Sequence, residues 1–283
     1  MPYPSAIVGE TTAPIDHDVD TRWLLAYAAV LDATEPILSD PRHPGGIVAH
    51  PLFPVCLEWD SMLALRRQIG RAELTRDEAA RGVHAMHDLH LHRAIRPGAR
   101  FTTIATIVSA EERRAGTFEI VRLDTRDAGG AAVATTYMSS IFRGVPLDGA
   151  PRAVAEVPAP PEPMTGSAER AARDLPANLG HTYTECARIW NPIHTDPKVA
   201  EAAGLPGIIL HGTATLALAV GALWPALGGP DAVTRIGARF KGMVRTPARI
   251  EIAHQGDGKT RSGRVTLADG SEAIGALSVS AAR

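Results

Sequence analysis

The chain has 283 residues, of which 45% are apolar, and a formal net charge of −2. That apolar share excludes a disordered chain, and the near-neutral charge leaves no electrostatic footprint for nucleic acid. The length suits one large domain or two of ordinary size, either of which buries a substantial core.

The two cysteines, Cys56 and Cys186, suit a reducing compartment and form neither a CxxC nor a zinc pattern. No charged n-region and apolar h-region open the chain, so no signal peptide is expected. The longest apolar stretch, Ala214 to Leu227, carries Gly and Pro and is too short to span a bilayer. The expectation is a cytoplasmic protein with no nucleic-acid or membrane partner.

In chain order, His50-Pro-Leu-Phe-Pro54 precedes a helix expected over Val55 to Ile69, which carries Glu58, Asp60, Arg66, Arg67 and Gln68. Glu58 and Asp60 are two apart and do not face each other on a helix, so they read as a solvated face. His84, His87, His90 and His92 follow. His90 and His92 share one strand face, His87 lies on the other, and Asp88 lies opposite His87. No acidic or thiol cluster completes a site, so no metal is expected. Gly144 to Pro176 is rich in Pro and Ala and reads as an extended linker, giving units of 1–143 and 177–283 around it.

Beyond the linker stands Arg188-Ile-Trp-Asn-Pro-Ile-His194. Asn-Pro fits neither a helix interior nor a central strand, because proline lacks an N–H and restricts the residue before it. The segment is therefore a turn that projects Asn191 and His194. Thr195-Asp-Pro-Lys198 reads as a helix start. Leu205 to Gly212 forms a second turn, and Thr213 to Leu223 is apolar on every face, as in a helix buried on all sides. Arg235, Arg239, Lys241 and Arg245 suit either phosphate contacts or a basic strand edge.

The two units share a plan. Ile95 to Phe101 lines up with Val244 to Ile250, and Gly129 to Ala134 with Gly270 to Gly275, at offsets of 149 and 141 residues. Each first segment opens an alternating strand, and each second one sits at a hairpin turn. Antiparallel strands wrapped around one central helix, repeated twice, is the resulting α+β reading.

Trp190-Asn-Pro-Ile-His194, Thr195-Asp-Pro-Lys198, Ala203-Gly-Leu-Pro-Gly207 and Ile209-Leu-His-Gly212 resemble the hydratase motif of the MaoC-like dehydratases. That family includes the R-specific enoyl-CoA hydratases (hydratase 2 type) and has the hotdog fold. His50 to Pro54 and His84 to Gly98 are similar to the first hotdog of two-hotdog hydratases, the half that has lost its catalytic residues. The resemblance covers nearly the whole chain except the linker and the first ~20 residues.

What the resemblance implies is an α+β double hotdog, two antiparallel sheets each wrapped around a central helix, with the first unit accommodating an acyl chain. It implies an acyl-CoA thioester as substrate, no cofactor, and His194 and the Gly212 N–H as catalytic groups. The motif's Asp falls on Ile189 and the Gly before it on Arg188; a one-residue slip puts Arg188 at the acid position, so neither register gives a carboxylate.

Histidine suits proton transfer near neutral pH, and unpaired N–H groups at the start of the Thr213 helix stabilise an enolate oxygen. Asn191 holds a water or fixes the turn, and His211 hydrogen-bonds the loop at the substrate site. Arg239, Lys241 and Arg245 stand as candidate CoA contacts. Three readings of the missing acid stay open: Glu185 supplies a carboxylate, His194 works slowly alone, or the site binds acyl-CoA without hydrating it. A hotdog thioesterase using Glu185 and Cys186 is a further alternative. A homodimer is compatible with the reading but not required, since two hotdogs in one chain mimic a hotdog dimer.

Overall fold

The computed structural model describes residues 2–68, 74, 75, 78, 79, 81–166 and 168–282. Its strands are β1 (Tyr3–Pro4), β2 (Ile15–Val19), β3 (Gly82–Leu91), β4 (Ala99–Arg113), β5 (Gly116–Asp127), β6 (Ala132–Arg143), β7 (Leu147–Asp148) and β8 (Arg152–Ala153). Then follow β9 (Glu169–Leu175), β10 (Val233–Phe240), β11 (Ala248–Gly256), β12 (Thr260–Leu267) and β13 (Glu272–Ala281). Side-chain alternation sets their faces: in β4, Phe101, Thr103, Ala105 and Ile107 are buried and the residues between them are not.

β2-β4-β5-β6-β3 is one hotdog sheet and β10-β13-β12-β11-β9 the other. They are joined edge to edge. β3 and β10 pair antiparallel, from Arg235 opposite His90 to Arg239 opposite Met86, so the two expected sheets run as one continuous sheet. The repeats behave alike. Ala99 and Ala248 open equivalent strands, and the two hairpin turns put Gly130 and Gly270 at φ 81° and 82°, a left-handed conformation that glycine takes without steric cost.

The stretch expected as a linker is not all linker. β9 lies inside it and pairs with β11 along its length, as the edge strand of the second sheet. Its sequence, Glu-Arg-Ala-Ala-Arg-Asp-Leu, is charged because an edge strand is exposed and must resist further pairing.

Each sheet curls around a central helix. The first, Pro54–Arg67, begins with Pro at N1; the Ile69 end of the expected helix lies outside the described residues. Glu58 is not on a solvated face. It is 4% exposed and hydrogen-bonds Thr136 on β6, whose hydroxyl offsets part of the cost of burying the carboxyl. Asp60, Arg66 and Arg67 do face solvent. The second helix, Gly212–Leu223, buries Ala214 to Val220 without a break. Pro225 has no N–H to continue the ladder, and the chain passes into a 3-10 turn over Trp224–Leu227.

Across the seam, Arg235 grips Asp88 with two hydrogen bonds of 2.8 and 2.7 Å. A bulge between His84 and Met86 sends His84 inward, with its ring 5.5 Å from that of His87. His90 stays on the outer face near Asp88. The helices Thr21–Val30 and Leu179–Ala187 pack together, with the Tyr27 and Tyr183 hydroxyls 3.1 Å apart. One core cluster runs through both hotdogs, from Val19 to Val279.

Candidate active site

The motif turn starts where the Leu179–Ala187 helix stops. Its C-cap, Arg188, takes φ 58° and ψ 34°, the left-handed conformation that usually calls for glycine. The resemblance places a Gly at that position, and Arg188 takes here the left-handed conformation that glycine adopts without steric cost. Arg188 lays its guanidinium over the Trp23 ring at 3.8 Å, and the Trp23 indole donates to the Cys186 carbonyl at 3.0 Å. Ile189 is buried in the core, 6% exposed. Pro192–His194 is a 3-10 turn with Asn191 at its N-cap, and the Asn191 side chain makes no capping bond.

His194 is fixed by one short hydrogen bond, 2.7 Å from Nδ1 to the Ile209 carbonyl. A carbonyl only accepts, so Nδ1 carries the proton and Nε2 holds a lone pair. That is the tautomer of a general base. Burial pushes its pKa down to about 4, against the opposing pull of the Ile209 carbonyl.

His211 stacks on it, ring centroids 3.6 Å apart. The His211 Nε2 lies 3.3 Å from the Ile189 carbonyl and 3.4 Å from the Thr184 hydroxyl, which ties the two turns together. Tyr183 closes the other side and bonds Thr213 at 3.2 Å. Gly212 begins the apolar helix, and its leading N–H groups are at the positive end of the helix dipole. Phe240 packs against Gly212: a Cβ there would stand 3.1 Å from the ring.

The structure brings Asn191, His194, His211 and Gly212 together, on two turns stitched by the Ile209 and Ile189 carbonyls. It does not bring Glu185 to them. Glu185 is exposed on the outer face of its helix with His181 and Thr182, opposite the buried Tyr183, Thr184 and Ala187. Beside it, burial and then the Glu185 charge push the Cys186 thiol up, so it stays protonated and offers no thiolate nucleophile.

The basic residues are mixed. Lys241 is held by Glu272 at 2.7 Å, Arg239 is half-buried, and Arg245 is exposed beside Gly207. Arg239 lies on β10, which is at the seam of the sheet, so the strand-edge alternative falls for it, while Lys241 and Arg245 follow the strand.

A second copy of the motif also stands in the chain. Leu31-Asp-Ala-Thr-Glu-Pro-Ile-Leu-Ser-Asp-Pro41 matches Ala187-Arg-Ile-Trp-Asn-Pro-Ile-His-Thr-Asp-Pro197 at an offset of 156, and Gly46-Ile-Val-Ala-His50 matches Gly207-Ile-Ile-Leu-His211 at 161. Asp32 at φ 54° is the counterpart of Arg188 at 58°, and these are the two non-glycine residues with positive φ among those described. Leu38, fully buried, replaces His194 in the copy. The shared Pro-Ile and Asp-Pro at fixed spacing are the signal that reveals it.

Two family models tile most of the chain. The MaoC like domain model matches residues 181–274, and the FAS1-like, dehydratase domain region model matches residues 6–136. The second half is a MaoC-like domain, joined to a FAS1-like dehydratase-domain region. The chain is 31% identical over 170 residues to 3-hydroxyacyl-thioester dehydratase Y of Mycobacterium tuberculosis, covering 56% of each. It is 45% identical over 53 residues to the peroxisomal enoyl-CoA hydratase 2 of Arabidopsis thaliana, covering 18% of this chain and 17% of that one. The matches thus span about half of the first relative's length and less of the second's.

A solved MaoC-like dehydratase from Phytophthora capsici superposes with a TM-score of 0.84 at 18% identity, covering 99% of this chain and 97% of that one. It shows the fold, a MaoC-like double hotdog. No described helix is long and apolar enough to cross a membrane.

Proposed function

We propose that this MaoC-like double hotdog is an (R)-specific hydratase or dehydratase of a 2-enoyl or 3-hydroxyacyl thioester, linked to CoA and acting in the cytoplasm. One observation carries the reading: the Ile209 carbonyl holds His194 as a base with Nε2 free, beside the open N-terminus of the Gly212–Leu223 helix. In the hydration direction, Nε2 takes a proton from water as its oxygen bonds to C3 of the enoyl group. The π electrons move to the thioester oxygen, where the Gly212 N–H stabilises the charge, and His194 returns the proton to C2.

In this reading the unit 1–143 accommodates the acyl chain, as expected of a half in which Leu38 stands where the base should be. Asn191 orients the water, and Arg239, Lys241 and Arg245 meet the CoA phosphates. Release of Lys241 from Glu272 would be part of binding. The test is hydration of a panel of 2-enoyl-CoAs, with turnover expected for the wild type and none for His194→Ala.

A non-catalytic acyl-CoA-binding role is the second reading. It is favoured by Ile189 at the acid position and by the outward Glu185. Binding of a CoA thioester without turnover, measured by calorimetry and by the same panel, would select it.

A further inference from the structure

The seam between the two sheets has an internal two-fold symmetry. Met86 pairs with Arg239 and His90 with Arg235, and the repeat offset of 149 residues turns each pair into the other. The axis passes between Asp88 and Gly237, which also pair. Both strands are bulged at the same place, β3 between His84 and Met86 and β10 between Val233 and Arg235. One end of the seam is therefore Leu91 with Val233, and the other is Phe240 with His84.

At the Leu91 end a cavity of about 230 Å³ is lined by His50, Pro51, Pro54 and Leu91 of the first half and by Val233 of the second. The counterparts of His50, Pro51 and Leu91 are His211, Gly212 and Phe240. Contacts at the motif end bear this out directly. A Cβ on Gly212 would stand 3.1 Å from the Phe240 ring, and the Phe240 and His84 ring centroids are 4.6 Å apart. His84 thus takes the place of Val233, on the wall that leads from Gly212 past Phe240 into the first hotdog.

The exchange turns an apolar wall polar. His84 Nε2 lies 3.0 Å from the Met86 carbonyl, so Nε2 carries the proton and Nδ1 keeps its lone pair. Part of the side chain stays accessible. Burial, and then the charge His87 would carry, push its pKa down to about 3 against the Met86 carbonyl, so the ring is neutral and Nδ1 accepts. Beside it, with ring centroids 5.5 Å apart, His87 has both nitrogens buried without a hydrogen-bond partner. Ser140 stands opposite His84 on β6. This wall holds more polar capacity than its own structure uses.

An aliphatic chain laid along the wall would cover the Nδ1 acceptor and give it nothing in return. A hydroxyl on the chain donates to it. A carboxylate would face a lone pair on a ring that burial keeps neutral.

We propose that the substrate's acyl chain carries a hydroxyl beyond its double bond, which donates to His84 Nδ1. The inference rests on the hydration reading above and names the substrate class within it.

The experiment is steady-state hydration of 2-hexenoyl-, 2-octenoyl- and 2-decenoyl-CoA, each compared with its ω-hydroxy and ω-carboxy forms. The full chain is used as wild type, His84→Val, His84→Phe and His84→Asn. At one chain length or more, the wild type should prefer the hydroxylated chain to the plain one by at least about fivefold in kcat/KM. His84→Val, which copies the residue at the other end of the seam, should bring that ratio to about one. His84→Phe removes the same lone pair and serves if the valine variant does not fold. His84→Asn, which puts an amide oxygen near the position of Nδ1, should keep part of the preference. A wild-type ratio below about fivefold at every length, with the plain chains hydrated, overturns the proposal and leaves the hydration reading standing. A preference that survives loss of the imidazole, or a carboxylated chain hydrated faster than the hydroxylated one, overturns it too. If the wild type hydrates none of the panel, both fall.

Discussion

His194 and His211 stack face to face, with ring centroids 3.6 Å apart and planes inclined by 29°. Two neutral imidazoles tolerate that approach; a proton on either is disfavoured by burial. His211 is pushed down by burial and then by the charge His194 would carry, with the Ile189 carbonyl opposing. The pair is therefore poised neutral, with the lone pair of His194 Nε2 ready to accept.

A pH profile follows from this. The folded pKa of His194, about 4, lies below the ordinary 6.5, so the base form is complete at neutral pH and is lost only as the pH falls toward 4. The hydration rate should stay level from neutrality to about pH 5 and drop below that. A kcat/KM profile that begins to fall near 6.5 would place His194 in a wet, unperturbed setting instead.

Gly212 is a matter of space. A Cβ would come within 3.1 Å of the Phe240 ring, which itself packs on His84 at 4.6 Å. Alanine gains some helix propensity at the position, but overpacking costs more, so Gly212→Ala should lose about 1–2 kcal/mol of stability. Adding Phe240→Leu should restore most of it. Denaturant melts of the single and double variants measure both values, and an unchanged single variant would mean the ring is not in contact.

Stability should bend with pH in two opposite senses. Burial pushes His50 and His84 down to about 3 and His87 to about 4. Each contributes stability that is full above 6.5 and lost as the pH falls from there toward those values. Glu58 does the reverse. Burial raises it from 4.5 to about 7, with Thr136 opposing, so its contribution is full below 4.5 and lost as the pH rises through 7. Glu58→Gln should therefore gain stability over wild type between about pH 5 and 8 and hold that gain above. Equal melting curves for the two proteins at pH 5 and pH 8 would show that Glu58 does not titrate in that interval.

How much of this was legible in the chain depended on the range of the interaction involved. Pro192 and the Gly-rich turn before Thr213 act on their own backbones, and the turn and the apolar helix stand within one residue of expectation. The hairpin glycines, 130 and 270, are equally local. Glu58 is different, since its burial depends on a hydroxyl 78 residues away. So is β9, whose charged sequence makes sense only beside β11. Glu185 failed by phase: on a helix of 9 residues, one position separates the buried Thr184 from the exposed face. The copied motif around Pro36 was open to view, but Leu38 in place of histidine removed the residue that draws attention to it.

The most direct test of the account is the loss of enoyl absorbance when the wild type and His194→Ala are each mixed with a 2-enoyl-CoA. Turnover by the wild type is expected, with a fall of about 100-fold or more in the variant and the melting temperature preserved. Equal rates in the two proteins would contradict it, because the chemistry would then not pass through the histidine that the Ile209 carbonyl holds in place.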